Sequence, residues 1–197
     1  MSGSPDLALA RRVVAEAWRE LPREASSLLE SIRADSWEVT DRPLGTYADE
    51  LRRSGGFGAL SESDRRRADG AVGLWLPEPR LVLINVSHPS LDGLDASTLA
   101  YALARIAWHE WAHALSIHRA TEVDVLAGKR LLDQVPPALA ENVRSSGYLR
   151  REYTHEIVAE IYAMLMIRRR LDGAADRPDW LSQEVYDLVR RVAGWNQ

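Results

Sequence analysis

The sequence predicts an α+β protein, mostly helical, with a small mixed β-sheet beside one long helix. Three observations carry this expectation. Apolar residues recur at helical spacing along most of the chain, and two short β-rich runs stand together between residues 71 and 86. A His-Glu-x-x-His stretch, His109-Glu110-Trp111-Ala112-His113, lies late in a long apolar-periodic segment from about Asp95 to His118. At 197 residues the chain suits a single domain, 1–197, with an N-terminal helical segment at 1–35, a core at 70–170 and a C-terminal helix at 179–197.

Asp6 to Glu20 reads as a first helix because Leu7, Ala10, Val14, Ala17 and Trp18 share one side and charges the other. Pro22 stands where a second helix can begin, with Leu28, Leu29 and Ile32 as its apolar positions. Trp37-Glu38-Val39-Thr40 has β character, and Tyr47 to Arg53 suits a short helix closed by Gly55-Gly56. Gly55, Gly56 and Gly58 lack the Lys-Ser/Thr pair of a phosphate loop. Ala71 to Leu76 and Arg80 to Val86 are the strands, joined by Pro77-Glu78-Pro79. Leu81-Val82-Leu83-Ile84 is apolar on both faces and should therefore be buried.

His88-Pro89-Ser90 and Asp92-Gly93 mark a loop, after which Asp95 or Ser97 caps the motif helix. Beyond His118 the spacing predicts helices over Glu122 to Gln134 and Pro137 to Ser146, separated at Pro136-Pro137 and closed by Gly147. A strongly helical stretch, Arg151 to Arg170, follows with Ile157, Ile161, Met164 and Leu165 at core positions. Trp180 to Trp195 is amphipathic and capped near Asp179 or Ser182.

The net charge of -4 argues against a nucleic-acid partner held by general electrostatics, and the dispersed arginine pairs suit solvated helix faces. No apolar run reaches bilayer length and no secretory signal is visible, so a cytoplasmic location with no membrane partner is expected. There are no cysteines, which excludes disulfides and thiolate ligands together.

Histidines four apart share a helix face, where their ring nitrogens can hold a tetrahedral Zn2+ and Glu110 can reach the metal's water. Leu99, Leu103, Ile106, Glu110, His113 and Ile117 follow helical spacing, so the motif falls on the stripe expected to face the core. Burying two imidazoles and a carboxylate without partners is costly, and a metal ion removes that objection. A catalytic zinc takes three protein ligands. Ser116 and Arg119 stand where a third-histidine pattern needs Gly and His, which leaves a carboxylate from a second helix. Glu156 and Glu160, one turn apart, offer two.

These residues together resemble the gluzincin metallopeptidases, whose second helix carries Glu-x-x-x-Asp/Glu. The resemblance implies a zincin-like fold in which His109, His113 and Glu156 bind zinc while Glu160 hydrogen-bonds a ligating histidine, His109. Over roughly residues 70 to 170 the chain is similar to the small intracellular ImmA/IrrE-like peptidases. The shared features are a strand ending in Ile84-Asn85 before the motif helix and the run from Glu156 to Met166. It departs from them in the long loop from Val86 to Asp95, in the helices inserted between His118 and Tyr148, and in Glu160, where those proteins often carry Asn.

The chemistry so implied is zinc-dependent peptide hydrolysis, with Glu110 taking the water's proton and handing it to the leaving amine. Tyr148 and Tyr153, just before the third-ligand helix, are candidate oxyanion donors, followed by His155. His88 and His118 are expected to be non-ligands, and Trp108 and Trp111 to be core packing. A protein or peptide substrate is expected to pair as an extended strand against an edge formed by Arg80 to Val86. The alternative is a catalytically silent, metal-stabilised regulatory or protein-binding module on the same scaffold, which would not need Glu110. A metal-free helical bundle is the remaining option.

Overall fold

Three short strands, β1 (Ser36–Thr40), β2 (Gly73–Leu76) and β3 (Leu81–Asn85), form one mixed sheet in the order β1-β3-β2. The computed structural model describes residues 7–121, 131–145, 152–173 and 176–195, and its architecture is α+β with helix predominating. β1 runs parallel to β3 with Ser36 opposite Leu81, and β2 runs antiparallel to β3 with Gly73 opposite Ile84. The expectation that Arg80 to Val86 forms a sheet edge is thereby corrected. β3 is paired on both sides, and the edges are β1 and β2. A strand apolar on both faces belongs in the middle of a sheet, where both faces and both backbone flanks are covered.

The β2 edge has a definite polarity. Asn85 N–H donates to the Val72 carbonyl at 2.8 Å, which makes that pair a hydrogen-bonded one, and alternation extends this to Leu74/Leu83 and Leu76/Leu81. Gly73 and Trp75 consequently aim their backbone groups away from β3, toward the outer side of the sheet. Side chains alternate as well. Leu76 and Leu83 pack with Leu44 and Ala48 on one face, while Gly73 faces Ile106 and Glu110 on the other.

The first of two compact units runs through Glu20 and from Arg33 to Glu110. Besides the sheet it holds α1 (Leu7–Arg19), α3 (Leu44–Ser54), α4 (Glu62–Asp69) and the first part of α5 (Ala96–His118). α4 has almost no apolar periodicity, so the sequence reading passes over it. It forms because Ser61 Oγ accepts from Asp64 N–H at 3.1 Å, and Glu62–Arg65 and Asp64–Arg67 pairs line its surface. Its backbone then meets α3 at Gly45, where a Cβ would lie 2.0 Å from the Arg65 carbonyl oxygen. Asp69 at its end accepts from Thr46 N–H at 2.8 Å, supplying α3 with the N-terminal cap that Pro43 lacks. Leu83 is fully buried between these layers. Leu83→Ala is expected to cost about 2–5 kcal/mol, read as a lower urea midpoint with unchanged m-value.

The second unit comprises Leu21–Ile32 and the chain from Trp111 onward. It contains α2 (Arg23–Ser31), the rest of α5, α6 (Pro137–Ser145), α7 (Tyr153–Asp172) and α8 (Gln183–Val192), with a 3-10 turn at Leu131–Asp133. α7 is buried on most sides, through Ile157, Ile161, Tyr162 and Leu165, while Met164 is half-buried. Ser182 Oγ caps α8 by accepting from Val185 N–H at 3.3 Å. After α8 the chain turns at Gly194, with φ of 65°, where a Cβ would stand 3.2 Å from the backbone of α2. Most of the helix expected over Glu122 to Gln134 lies outside the described residues, as do Ser146, Gly147 and Tyr148.

Candidate metal centre

The motif helix begins at a well-formed cap. Asp95 Oδ1 accepts from the backbone N–H groups of Ser97 and Thr98 at 2.9 and 3.0 Å, and Oδ2 accepts from the Thr98 hydroxyl at 2.6 Å. These bonds, the Thr98 hydroxyl foremost, hold the Asp95 carboxyl below the usual aspartate range. Along α5, Leu99, Leu103 and Glu110 are buried as the stripe requires, but Ile117 is 46% exposed. Ala104, Ala107, Trp108, Trp111 and Leu115 are also buried, so the helix is covered well beyond one stripe. Trp108 and Trp111 are core residues, and Trp108 Nε1 donates to the Ala17 carbonyl at 2.9 Å.

His113 and Glu156, both in the second unit, approach each other with Nε2 and Oε1 3.3 Å apart. His109 joins them through the helix itself, one turn before His113. Ligand atoms of His109, His113 and Glu156 all lie within 4.8 Å of one another, a cluster that could hold a metal ion. The dimensions suit the donor set. Zinc–ligand bonds of 2.0–2.1 Å at tetrahedral angles put neighbouring donor atoms about 3.3 Å apart. The 3.3 Å between His113 Nε2 and Glu156 Oε1 matches that spacing. Glu160, one turn beyond Glu156, is half-buried and outside the cluster.

Glu110 is 7% exposed, and its carboxylate packs against β2. A Cβ at Gly73 would stand 2.6 Å from both Glu110 Oε1 and Ile106 Cγ2. Only glycine leaves that space for the carboxylate, and a glycine inside a strand is the sequence signal for such a close approach. Gly73→Ala is expected to lose about 1–3 kcal/mol of stability through overpacking. It should displace the Glu110 carboxylate while leaving metal affinity near wild type, which calorimetry with zinc would show.

Comparison with protein-family models, with curated proteins and with solved structures gives no match.

One further pair, missed in the sequence, stands beside the ligands. Ser116 is fully buried, and its Oγ donates to the His113 carbonyl at 3.0 Å while lying 3.0 Å from His155 Nδ1. A hydroxyl has one proton, and a carbonyl can only accept, so His155 must donate from Nδ1. The faint signal was a small polar residue three positions after His113 in an apolar helix. Of the other expected residues, Tyr153 is half-buried at the start of α7 and Tyr148 falls outside the described residues. His118 is exposed, and His88 caps its own loop by accepting from Ser90 N–H at 3.2 Å. Among the described residues no helix is long and apolar enough to cross a membrane.

Proposed function

We propose that the chain is a zinc-dependent metallopeptidase of gluzincin type with a zincin-like fold, acting in the cytoplasm on a protein or peptide. The observation that carries this reading is the convergence of His109, His113 and Glu156, with the buried Glu110 carboxylate on the same helix. In this reading the two imidazoles and Glu156 hold the zinc, and Glu160 fixes the orientation of His109. A zinc ion there would supply a Lewis acid that lowers the pKa of water toward about 7 and polarises the scissile carbonyl.

The chain's own residues do the rest. Glu110 accepts the proton released by the attacking water on a carboxylate oxygen and delivers it to the leaving amide nitrogen. Its burial beside Gly73 keeps bulk water from competing for that oxygen. The outward-facing backbone groups of Gly73 and Trp75 offer an extended peptide two places to pair along β2, next to Glu110. The oxyanion donor is assigned to Tyr148. A silent regulatory module would have no use for a buried carboxylate at position 110, which favours the enzyme.

The direct test is metal analysis of the purified protein together with cleavage of an unfolded protein substrate, before and after chelation. Cleavage that stops with a chelator and returns with zinc is expected. Cleavage indifferent to the chelator would overturn the reading.

A further inference from the structure

The two faces of β2 carry unlike residues. Leu74 and Leu76 pack with Leu44, Ala48 and Leu83, on the face covered by α3. Gly73 and Trp75 share the opposite face, where Gly73 meets Ile106 and Glu110 of α5. Gly73 has no side chain, so Trp75 is the only one that β2 sends to this face. Its partner across the ladder, Val82, is fully buried, as is Ile84 opposite Gly73, whereas Trp75 is half-buried.

The Trp75 ring is set with its polar edge inward. Nε1 is shut from solvent and has no hydrogen-bond partner among the described residues. A buried indole usually finds an acceptor for that N–H. With Nε1 turned in, all that the side chain shows outside is hydrocarbon. The strand that carries it, Gly73-Leu74-Trp75-Leu76, has no charge and no proline within its span, the devices that commonly guard an edge strand. Trp75 thus brings an apolar ring and outward-aimed backbone groups to the same place, beside the glycine that touches Glu110.

We propose that Trp75 selects the substrate: a peptide paired along β2 lays a large apolar side chain against the Trp75 ring, two residues from the one that meets Glu110. The inference rests on the metallopeptidase reading, which puts the peptide on β2. The register follows from β2 itself. Side chains of a paired strand alternate in step with those of β2, so the peptide residues facing Gly73 and Trp75 share the α5 face and stand about 7 Å apart. Gly73 touches the Glu110 carboxylate, so the residue opposite it comes nearest the general base. Trp75 meets the next side chain on that face. An aromatic ring pairs well across a ladder with aromatic or branched apolar side chains, which makes the substrate class a peptide with Phe, Leu, Ile or Val at that place.

The test uses the full chain and a series of peptides that differ at one position at a time, carrying Phe, Leu, Ala or Asp, with the cut bonds mapped by mass spectrometry. Native protein is expected to favour Phe or Leu over Ala by about fivefold in kcat/KM at one position, two residues from a residue flanking the cut bond, a factor that matches a good cross-strand pair. Trp75→Thr, which keeps a strand-forming residue but lacks the ring, should bring that ratio close to one. Trp75→Phe keeps an aromatic face, loses only a donor without an acceptor, and should keep most of the ratio. A reading that needs no change at Trp75 comes from Glu110→Gln protein, where a peptide with benzoylphenylalanine at the favoured position should cross-link to Trp75 without being cut. Native cleavage with no such preference, a preference unchanged in folded Trp75→Thr, or cross-links that fall elsewhere than β2 would overturn the proposal and leave the metallopeptidase reading standing. Cross-linking to Trp75 by a protein that cuts none of the peptides would overturn the metallopeptidase reading and support the docking on β2. Neither cleavage nor cross-linking would overturn both.

Discussion

Glu110→Gln is expected to abolish peptide cleavage while leaving the metal content of the protein unchanged. The amide is the same size as the carboxylate, so the contact with Gly73 and Ile106 survives and the fold should hold. What it cannot do is take a proton from water. Loss of a general base lowers the rate by about 10²–10⁴-fold, so residual activity should fall to the edge of detection. His109 and His113 remain, and with Glu156 they keep the candidate metal cluster intact. Metal analysis and cleavage assays on native protein and variant, side by side, check both halves. Unchanged cleavage in Glu110→Gln would remove Glu110 from the mechanism; zinc lost along with activity would make it a ligand or a structural support instead.

Truncation of the two α7 carboxylates should separate their roles by size of effect. Glu156 is 8% exposed and stands 3.3 Å from His113 Nε2, so Glu156→Ala removes one of the three members of the candidate metal cluster. Glu160→Ala removes at most a group that orients a ligand, which typically costs about 10–100-fold in metal affinity. Zinc affinity should therefore fall much further in Glu156→Ala than in Glu160→Ala. Thermal stability offers a second reading. Added zinc stabilises any protein whose folded form binds it, so the melting temperature should rise with zinc in wild type and in Glu160→Ala, and stay nearly flat in Glu156→Ala. A larger loss in Glu160→Ala would reverse the assignment.

Much of the framework around this site was legible in the sequence because it rests on local patterns. Helical spacing located α5 and α7, Asp95 and Ser97 were the two candidate caps of which Asp95 is the one used, and the Pro77-Glu78-Pro79 turn separated β2 from β3. The spacing of His109 and His113 needed only a helix to bring them together. What escaped depends on contacts between distant segments. α4 is held by a cap, ion pairs and the passage of Gly45 against Arg65, none of which produces an apolar period. The place of β3 in the sheet could have been argued from its two apolar faces, yet which strand flanks it on each side is a matter of chain crossing and not of composition. Ile117 follows the stripe and still faces solvent, because spacing marks a helix face without marking where its cover ends.

The Ser116–His155 contact acts as an index mark between two cylinders. His113 meets Glu156 and, three residues on, Ser116 meets His155, so the pairs run in opposite senses along α5 and α7. A slide of one residue along either helix turns every side chain by about 100°. It would part both pairs at once. The buried hydroxyl, whose single proton is already committed to the His113 carbonyl, accepts only a donor at that position, and the Nδ1 proton of His155 is the one that arrives when the register is correct. A neighbour of the candidate ligands thus keeps count for them, and the distance between His113 and Glu156 is set by an alignment that neither of them has to hold alone.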